Sequence, residues 1–142
     1  MSHKVKDAML ICMDPRYMPN KEGDEGEFMP VLKEFMKHHK IPGSYCLRYA
    51  GASLAVNDPD HGSSIEKHLK FLVRNGVERL HIVDHLNNCA AFSDVYGEKT
   101  GEEEIKLHIE ELLKAKMKLS GLFPTLHFPT YYHDTKKIQF VN

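Results

Sequence analysis

The chain has no tryptophan, only three cysteines and no long hydrophobic run. No apolar stretch approaches the roughly 20 residues that a membrane-spanning helix needs. Residues 1–7 have neither the apolar core nor the cleavage site of a signal peptide. We therefore expect a cytoplasmic protein with no membrane partner, in which the cysteines are reduced or metal-bound rather than joined in disulfides.

The chain also lacks an excess of charge of one sign. Its 19 basic and 20 acidic residues leave a net charge of −1, so no basic surface predicts nucleic-acid binding and no acidic tail predicts disorder. The glycine fingerprints of dinucleotide-binding and P-loop proteins are absent too. A length of 142 residues with 42% hydrophobic composition fits a single domain, residues 1–142, with its own core.

Strand-like and helix-like segments alternate along this domain. Short apolar runs are typical of strands buried on both faces, and stripes of apolar residues are typical of helices packed on a sheet. The predicted strands are residues 8–13, 45–49, 80–84, 125–132 and 137–141. The predicted helices are residues 28–39, 65–73 and 101–119, with a cap at residues 62–64 for the second. This order predicts an α/β fold with a doubly wound, mainly parallel sheet: about four parallel strands and a C-terminal antiparallel strand, flanked by helices.

Residues with metal-ligand chemistry follow two of the predicted strands. Cys12 ends the first strand, His85 ends the third, and Cys89 lies in the turn or helix start after it. If the first and third strands are neighbours at the switch point of the sheet, their carboxyl ends meet where open α/β sheets bind ligands. Two thiolates and an imidazole suit Zn²⁺ and leave a position open for water. If these residues meet in space, they predict a zinc hydrolase or hydratase.

Each of these residues also has a simpler interpretation. A single buried cysteine is usually a packing residue, and Cys46, which has no motif around it, is expected to be one. Asp14 and Arg16 beside Cys12 would form a structural ion pair in many proteins. Redox and phosphatase functions are not expected, because the chain has no Cys-x-x-Cys pair and the spacing from Cys12 to Arg16 is too short to wrap a phosphate.

Taken together, three short motifs resemble those of the β-class carbonic anhydrases. The resemblance covers residues 7–92, in the order and on the elements that the family uses. The family's Cys-x-Asp-x-Arg motif is matched by Cys12, Asp14 and Arg16, its Ala-Gly motif by Ala50 and Gly51, and its His-x-x-Cys motif, less closely, by His85 and Cys89.

The resemblance implies a zinc-dependent lyase that hydrates CO2 reversibly to bicarbonate. Cys12, His85 and Cys89 would bind the zinc ion. Asp14, held by Arg16, would form the catalytic dyad; it would accept a hydrogen bond from zinc-bound hydroxide or occupy the fourth zinc position. The resemblance also implies a homodimer, because the family builds its pocket at a dimer interface.

The chain departs from the family pattern near the site. One extra residue separates His85 from Cys89, Asp84 and Ala90 replace glycines, and Ala52 replaces an asparagine. An N-terminal helical arm is not expected either. A bulge at the turn after the third strand can absorb the extra residue, whereas a charged Asp84 beside the metal would weaken activity or orient His85 from behind.

These departures leave two alternatives open beside CO2 hydration. One is a zinc hydrolase acting on another small linear substrate, such as carbonyl sulfide or carbon disulfide. The other is a non-catalytic zinc protein in which Asp14 closes the fourth position on the metal.

Overall fold

The strands form one mixed sheet across residues 4–142, the part of the chain that the computed structural model describes. No signal peptide is expected in residues 1–7, and residues 1–3 of that segment lie outside the described range. The strands are β1 (Asp7–Ile11), β2 (Cys46–Arg48), β3 (Arg79–His85), β4 (Thr130–His133) and β5 (Ile138–Val141). Their order in the sheet is β2-β1-β3-β4-β5, and only the β4–β5 pair is antiparallel. The predicted α/β fold, with four parallel strands and an antiparallel C-terminal strand, is confirmed.

Helices cover both faces of this sheet. They are α1 (Met29–His39), α2 (Ser53–Asn57), α3 (Pro59–Arg74), α4 (Ala90–Tyr96) and α5 (Gly101–Leu122). None of the helices in the described part of the chain has the length and apolar character needed to cross a membrane. Helices α2 and α4 are too short to show a helical period, which is why the sequence pattern did not reveal them.

The second predicted helix begins earlier than its apolar stripe indicates. Helix α3 begins at Pro59, and the Asp58 carboxylate accepts hydrogen bonds from the backbone N–H groups of Asp60 and His61. The cap predicted at residues 62–64 is therefore wrong, since an aspartate followed by proline already provides a helix start. The apolar stripe marks only the part of the helix that packs on the sheet.

The strand period places different side chains on the two faces of the sheet. Leu10 and Ile82 belong to the buried cluster that packs with α2, α3 and α5, whereas Met9 and Val83 belong to the cluster that packs with α1. Because successive side chains of a strand alternate between faces, the last two residues of β3 also face opposite ways. This alternation determines which residue of that strand can reach the site described next.

Candidate metal centre

The three predicted ligand residues come together at the carboxyl ends of β1 and β3. Cys12 directly follows β1, His85 is the last residue of β3, and Cys89 is the N-cap of α4. The two sulfur atoms are 3.8 Å apart, and the ligand atoms of all three residues lie within 4.8 Å of one another. All three side chains are buried. Residues that are far apart in the sequence thus form a compact donor set that could hold a metal ion.

The imidazole of His85 presents one nitrogen to this cluster. Its Nδ1–H donates to the backbone carbonyl of Leu86 at 2.8 Å, which leaves Nε2 as the free ring nitrogen. Among the described residues, this buried Nε2 makes no hydrogen bond, although the Asp14 carboxylate lies 3.3 Å away. A buried polar atom without a partner carries a desolvation cost, and a metal ion between the sulfurs and Nε2 would remove that cost.

The sulfur atoms of Cys12 and Cys89 are within hydrogen-bonding distance of each other. The hydrogen bond with Cys12, together with His85, lowers the pKa of Cys89 to about 4, while the same hydrogen bond and burial raise the pKa of Cys12. Cys12 Sγ also accepts a hydrogen bond from the backbone N–H of Gly51 at 3.3 Å. Gly51 has φ of +85°, and a Cβ there would lie 3.1 Å from the Cβ of Ala91, so glycine allows this close approach.

The extra residue between His85 and Cys89 is absorbed in a left-handed turn. Asn87 and Asn88 have φ of 62° and 67°, a conformation that asparagine tolerates better than most residues. Arg16 stabilises the turn, because its Nη1 donates to the Asn87 carbonyl at 2.8 Å and its Nη2 to the Asn88 carbonyl at 3.3 Å. The lengthened motif therefore still places Cys89 beside the other two ligand residues.

The same guanidinium holds the Asp14 carboxylate. Arg16 Nε and Nη2 donate to the two carboxylate oxygens, each at 2.9 Å, and the Oδ2 atom of Asp14 lies 3.3 Å from His85 Nε2. Burial alone would raise the pKa of Asp14, but the hydrogen bonds from Arg16 and the nearby His85 lower it overall. A charged carboxylate thus lies at the edge of the ligand cluster, oriented by an arginine that also binds the turn leading to Cys89.

Two further side chains at the site were not predicted from the sequence. His133, the last residue of β4, pairs in register with His85, and its Nε2 is hydrogen-bonded to the hydroxyl of Tyr17. Tyr17 also packs edge-on against the His85 ring, with the ring centroids 5.9 Å apart. The position of His133 at the end of the strand next to His85 is the signal that could have identified it.

We expect the metal-free protein to lose stability between pH 6.5 and pH 4 because of His133. Burial lowers the pKa of His133 to about 4, so the unfolded chain binds a proton in this range before the folded chain does. One such group costs about 2 kcal/mol by pH 4.5. His133→Gln, which keeps an acceptor for the Tyr17 hydroxyl, should lose correspondingly less stability than the wild type.

Urea unfolding at pH 7.5 and pH 4.5, in the presence of a chelator, measures this difference. Equal losses of unfolding free energy in the wild type and in His133→Gln would contradict the assignment.

Two sequence expectations about neighbouring residues are resolved by the geometry. Cys46 is half-buried in β2 and lies outside the ligand cluster, in agreement with a packing role. Asp84 lies next to His85 in sequence but on the opposite face of the sheet, where it contacts Ser53 of α2 and His108 of α5. It does not hydrogen-bond to the His85 ring, whose Nδ1–H is donated to the Leu86 carbonyl.

Comparison with known proteins identifies the architecture. No protein-family model matches the chain, and no curated protein matches it in sequence. Among solved structures, the crystal structure of carbonic anhydrase from Streptococcus mutans at 1.4 Å resolution superimposes with a TM-score of 0.54 at 14% identity, covering 100% of this chain and 87% of that one. The chain has a carbonic anhydrase-like fold. In this carbonic anhydrase-like fold, the possible metal site lies at the switch point of the sheet.

Proposed function

We propose that this protein is a zinc-dependent carbonic anhydrase that hydrates CO2 reversibly to bicarbonate. The observation that carries the proposal is the buried cluster of Cys12, His85 and Cys89, in which His85 Nε2 has no hydrogen-bond partner among the described residues. Two sulfurs and one imidazole nitrogen favour zinc over the harder cations, which prefer oxygen ligands. The carbonic anhydrase-like fold supports this choice of reaction.

The residues around the cluster have properties that suit this reaction. Bound zinc supplies a Lewis acid that lowers the pKa of a bound water molecule. The charged carboxylate of Asp14 can accept a hydrogen bond from the attacking water and so select its orientation. Arg16 prevents that carboxylate from turning away, since it donates to both of its oxygens.

A cleft of about 500 Å³ reaches the Gly51 turn from the surface. Ala50, Leu54 and Ala91 contribute to its wall, and Ala91 also contacts Gly51, whose N–H is bonded to Cys12. Charged side chains, including those of Asp58, Glu111 and Lys114, line other parts of this cleft, so its wall is apolar mainly beside the Gly51 turn.

Stopped-flow CO2 hydration tests the proposal directly. We expect zinc-loaded protein to accelerate hydration well above the buffer rate between pH 7 and pH 9, and we expect chelator-treated protein to lose this acceleration. Readdition of zinc should restore it. The zinc content of every sample is measured alongside, so that a lack of activity can be distinguished from a lack of metal.

The other outcomes correspond to the alternative functions. Hydrolysis of carbonyl sulfide or carbon disulfide without CO2 hydration would replace the proposed substrate while keeping the metal. Bound zinc with neither activity at pH 8–9 would contradict the anhydrase and favour a non-catalytic zinc protein. Protein purified without chelator that contains no zinc, and takes up none when it is added, would contradict all of these functions.

A further inference from the structure

A fully buried polar cluster lies behind the metal ligands, on the opposite face of β3. The Asp84 carboxylate accepts hydrogen bonds from the Ser53 backbone N–H at 3.1 Å and from the Ser53 hydroxyl at 2.6 Å. His108 Nδ1 lies 2.8 Å from Asp84 Oδ2 and donates to it. None of the three residues is more than 1% exposed. Three donors to one buried carboxylate hold it in a single orientation, because rotating it would break hydrogen bonds that water cannot replace there.

Ser53 connects this cluster to the segment that binds the first thiol. The turn before α2 contains Gly51, whose N–H donates to Cys12 Sγ at 3.3 Å, and it continues through Ala52 with φ of 49°. Ser53 follows immediately and is bonded to Asp84 through both its N–H and its hydroxyl. The strained turn is therefore tied to the end of β3 at the residue that precedes His85.

His108 connects the cluster to the segment that carries the second thiol. Its ring packs against the Phe92 ring at an interplanar angle of 31°, with the ring centroids 3.9 Å apart. Phe92 lies in the first turn of α4, whose N-cap is Cys89. Since the turn between His85 and Cys89 carries an extra residue, the chain connection alone restrains Cys89 less than a shorter turn would. The contact of His108, in α5, with Phe92 supplies a second restraint on the position of Cys89.

We propose that Asp84, Ser53 and His108 form a positioning cluster that fixes the distances between the metal ligands before the metal binds. This inference rests on the proposed zinc site. Each member is connected to a different ligand. Ser53 follows the turn whose Gly51 N–H binds Cys12, Asp84 directly precedes His85, and His108 contacts the helix that has Cys89 as its N-cap. Groups hydrogen-bonded directly to metal ligands change metal affinity by about 10- to 100-fold when they are removed, and a cluster that acts through the segments of the ligands is expected at the lower end of this range. A preorganised ligand set binds more tightly because less ordering accompanies binding.

Two substitutions of His108 remove its two contacts one at a time. His108→Phe keeps a ring against Phe92 but removes the donor to Asp84. His108→Asn removes the ring but keeps an amide N–H close to the position of Nδ1–H. The Zn²⁺ dissociation constant is measured for each variant by competition with a chromophoric chelator under reducing conditions, and the Co²⁺ spectrum is recorded to report the geometry of the thiolate ligands. Urea unfolding of the metal-free variants gives their stabilities.

We expect both variants to bind zinc more weakly than the wild type, whatever their stabilities. His108→Phe should raise the Zn²⁺ dissociation constant by about 10-fold and shift the thiolate-to-Co²⁺ absorption, although its packing is preserved. His108→Asn should also bind zinc more weakly, because it removes the ring contact with Phe92 that restrains the segment of Cys89. A merely structural role predicts instead that metal affinity follows stability, so that His108→Phe with near-wild-type stability would bind zinc as the wild type does.

Wild-type zinc affinity in a folded His108→Phe or His108→Asn variant would overturn the positioning role. If His108→Phe does not fold, Ser53→Ala decides the question: unchanged Zn²⁺ affinity contradicts the proposal, and a several-fold loss supports it. A wild-type protein that binds no zinc would instead refute the proposed function, and the positioning role with it. The two failures are therefore distinguishable.

Discussion

We expect Cys12→Ser and Cys89→Ser each to lower the affinity for zinc by more than about 100-fold, since even partners behind the ligands contribute up to that factor. Each change replaces a thiolate by a hydroxyl, which is a much poorer ligand for zinc at neutral pH. The remaining thiol and His85 Nε2 would leave only two strong donors in the cluster. Zinc content after purification and the dissociation constant measured by chelator competition report the effect.

Cys46→Ser is the matched control for this experiment. Cys46 is the other cysteine of the chain; it is half-buried in β2 and outside the ligand cluster. Its substitution should leave the zinc content and affinity unchanged. The samples are kept reduced, because two sulfurs 3.8 Å apart are close enough for a small movement to allow oxidation. Equal zinc content in Cys12→Ser, Cys89→Ser and Cys46→Ser would show that the cluster is not the metal site.

We expect Asp14→Asn to lower kcat for CO2 hydration by about 100-fold or more, the usual contribution of a positioned acid or base, while zinc remains bound. Asparagine has the size of aspartate but no charge, and its amide group would face the donors of Arg16 on one side. That clash leaves either the arginine or the amide without its partner, which costs about 1 kcal/mol or more for partly buried groups. The side-chain oxygen of residue 14 is then no longer held beside His85 Nε2.

Glu27→Gln is the control for the effect on Arg16. Glu27 Oε1 lies 3.7 Å from Arg16 Nη1, but its side chain is exposed, and exposed ion pairs contribute little. This variant should keep both zinc and activity. Full activity of zinc-loaded Asp14→Asn would contradict the role of the dyad. A parallel loss of zinc would instead assign Asp14 to metal binding, as in the alternative where it closes the fourth position.

Part of the candidate site could be predicted from the sequence, because the apolar pattern of the sequence indicates where two buried strands end. An apolar run ending at Cys12 and another ending at His85 indicate two buried strands, and the rules for crossover connections bring their carboxyl ends together. The sequence also allows the orientation of the Asp84 side chain to be predicted, because the two-residue period of a strand places Asp84 and His85 on opposite faces of the sheet. The expectation that Asp84 lies beside the metal neglected that period.

Other features of the site depend on contacts that no local pattern contains. The α2 and α4 helices have too few residues to show a period, yet they place Ser53 and Cys89. Asn87 and Asn88 adopt left-handed backbone conformations that their types allow but do not require. The pairing of Tyr17 with His133 joins two segments that are not neighbours in the chain, so the sequence could supply the residues but not the contact.

The sequence by itself determined the α/β architecture and the residues at the carboxyl ends of β1 and β3, because side-chain periodicity and the right-handed crossover are local or topological properties. Only the tertiary structure decided that the two sulfurs and His85 Nε2 lie within one ligand cluster. It also decided that Arg16 bridges Asp14 and the lengthened turn, and that Asp84 faces His108. Distances of a few ångströms between side chains far apart in the chain follow from the packing of the whole fold, and no segment of the sequence contains them alone.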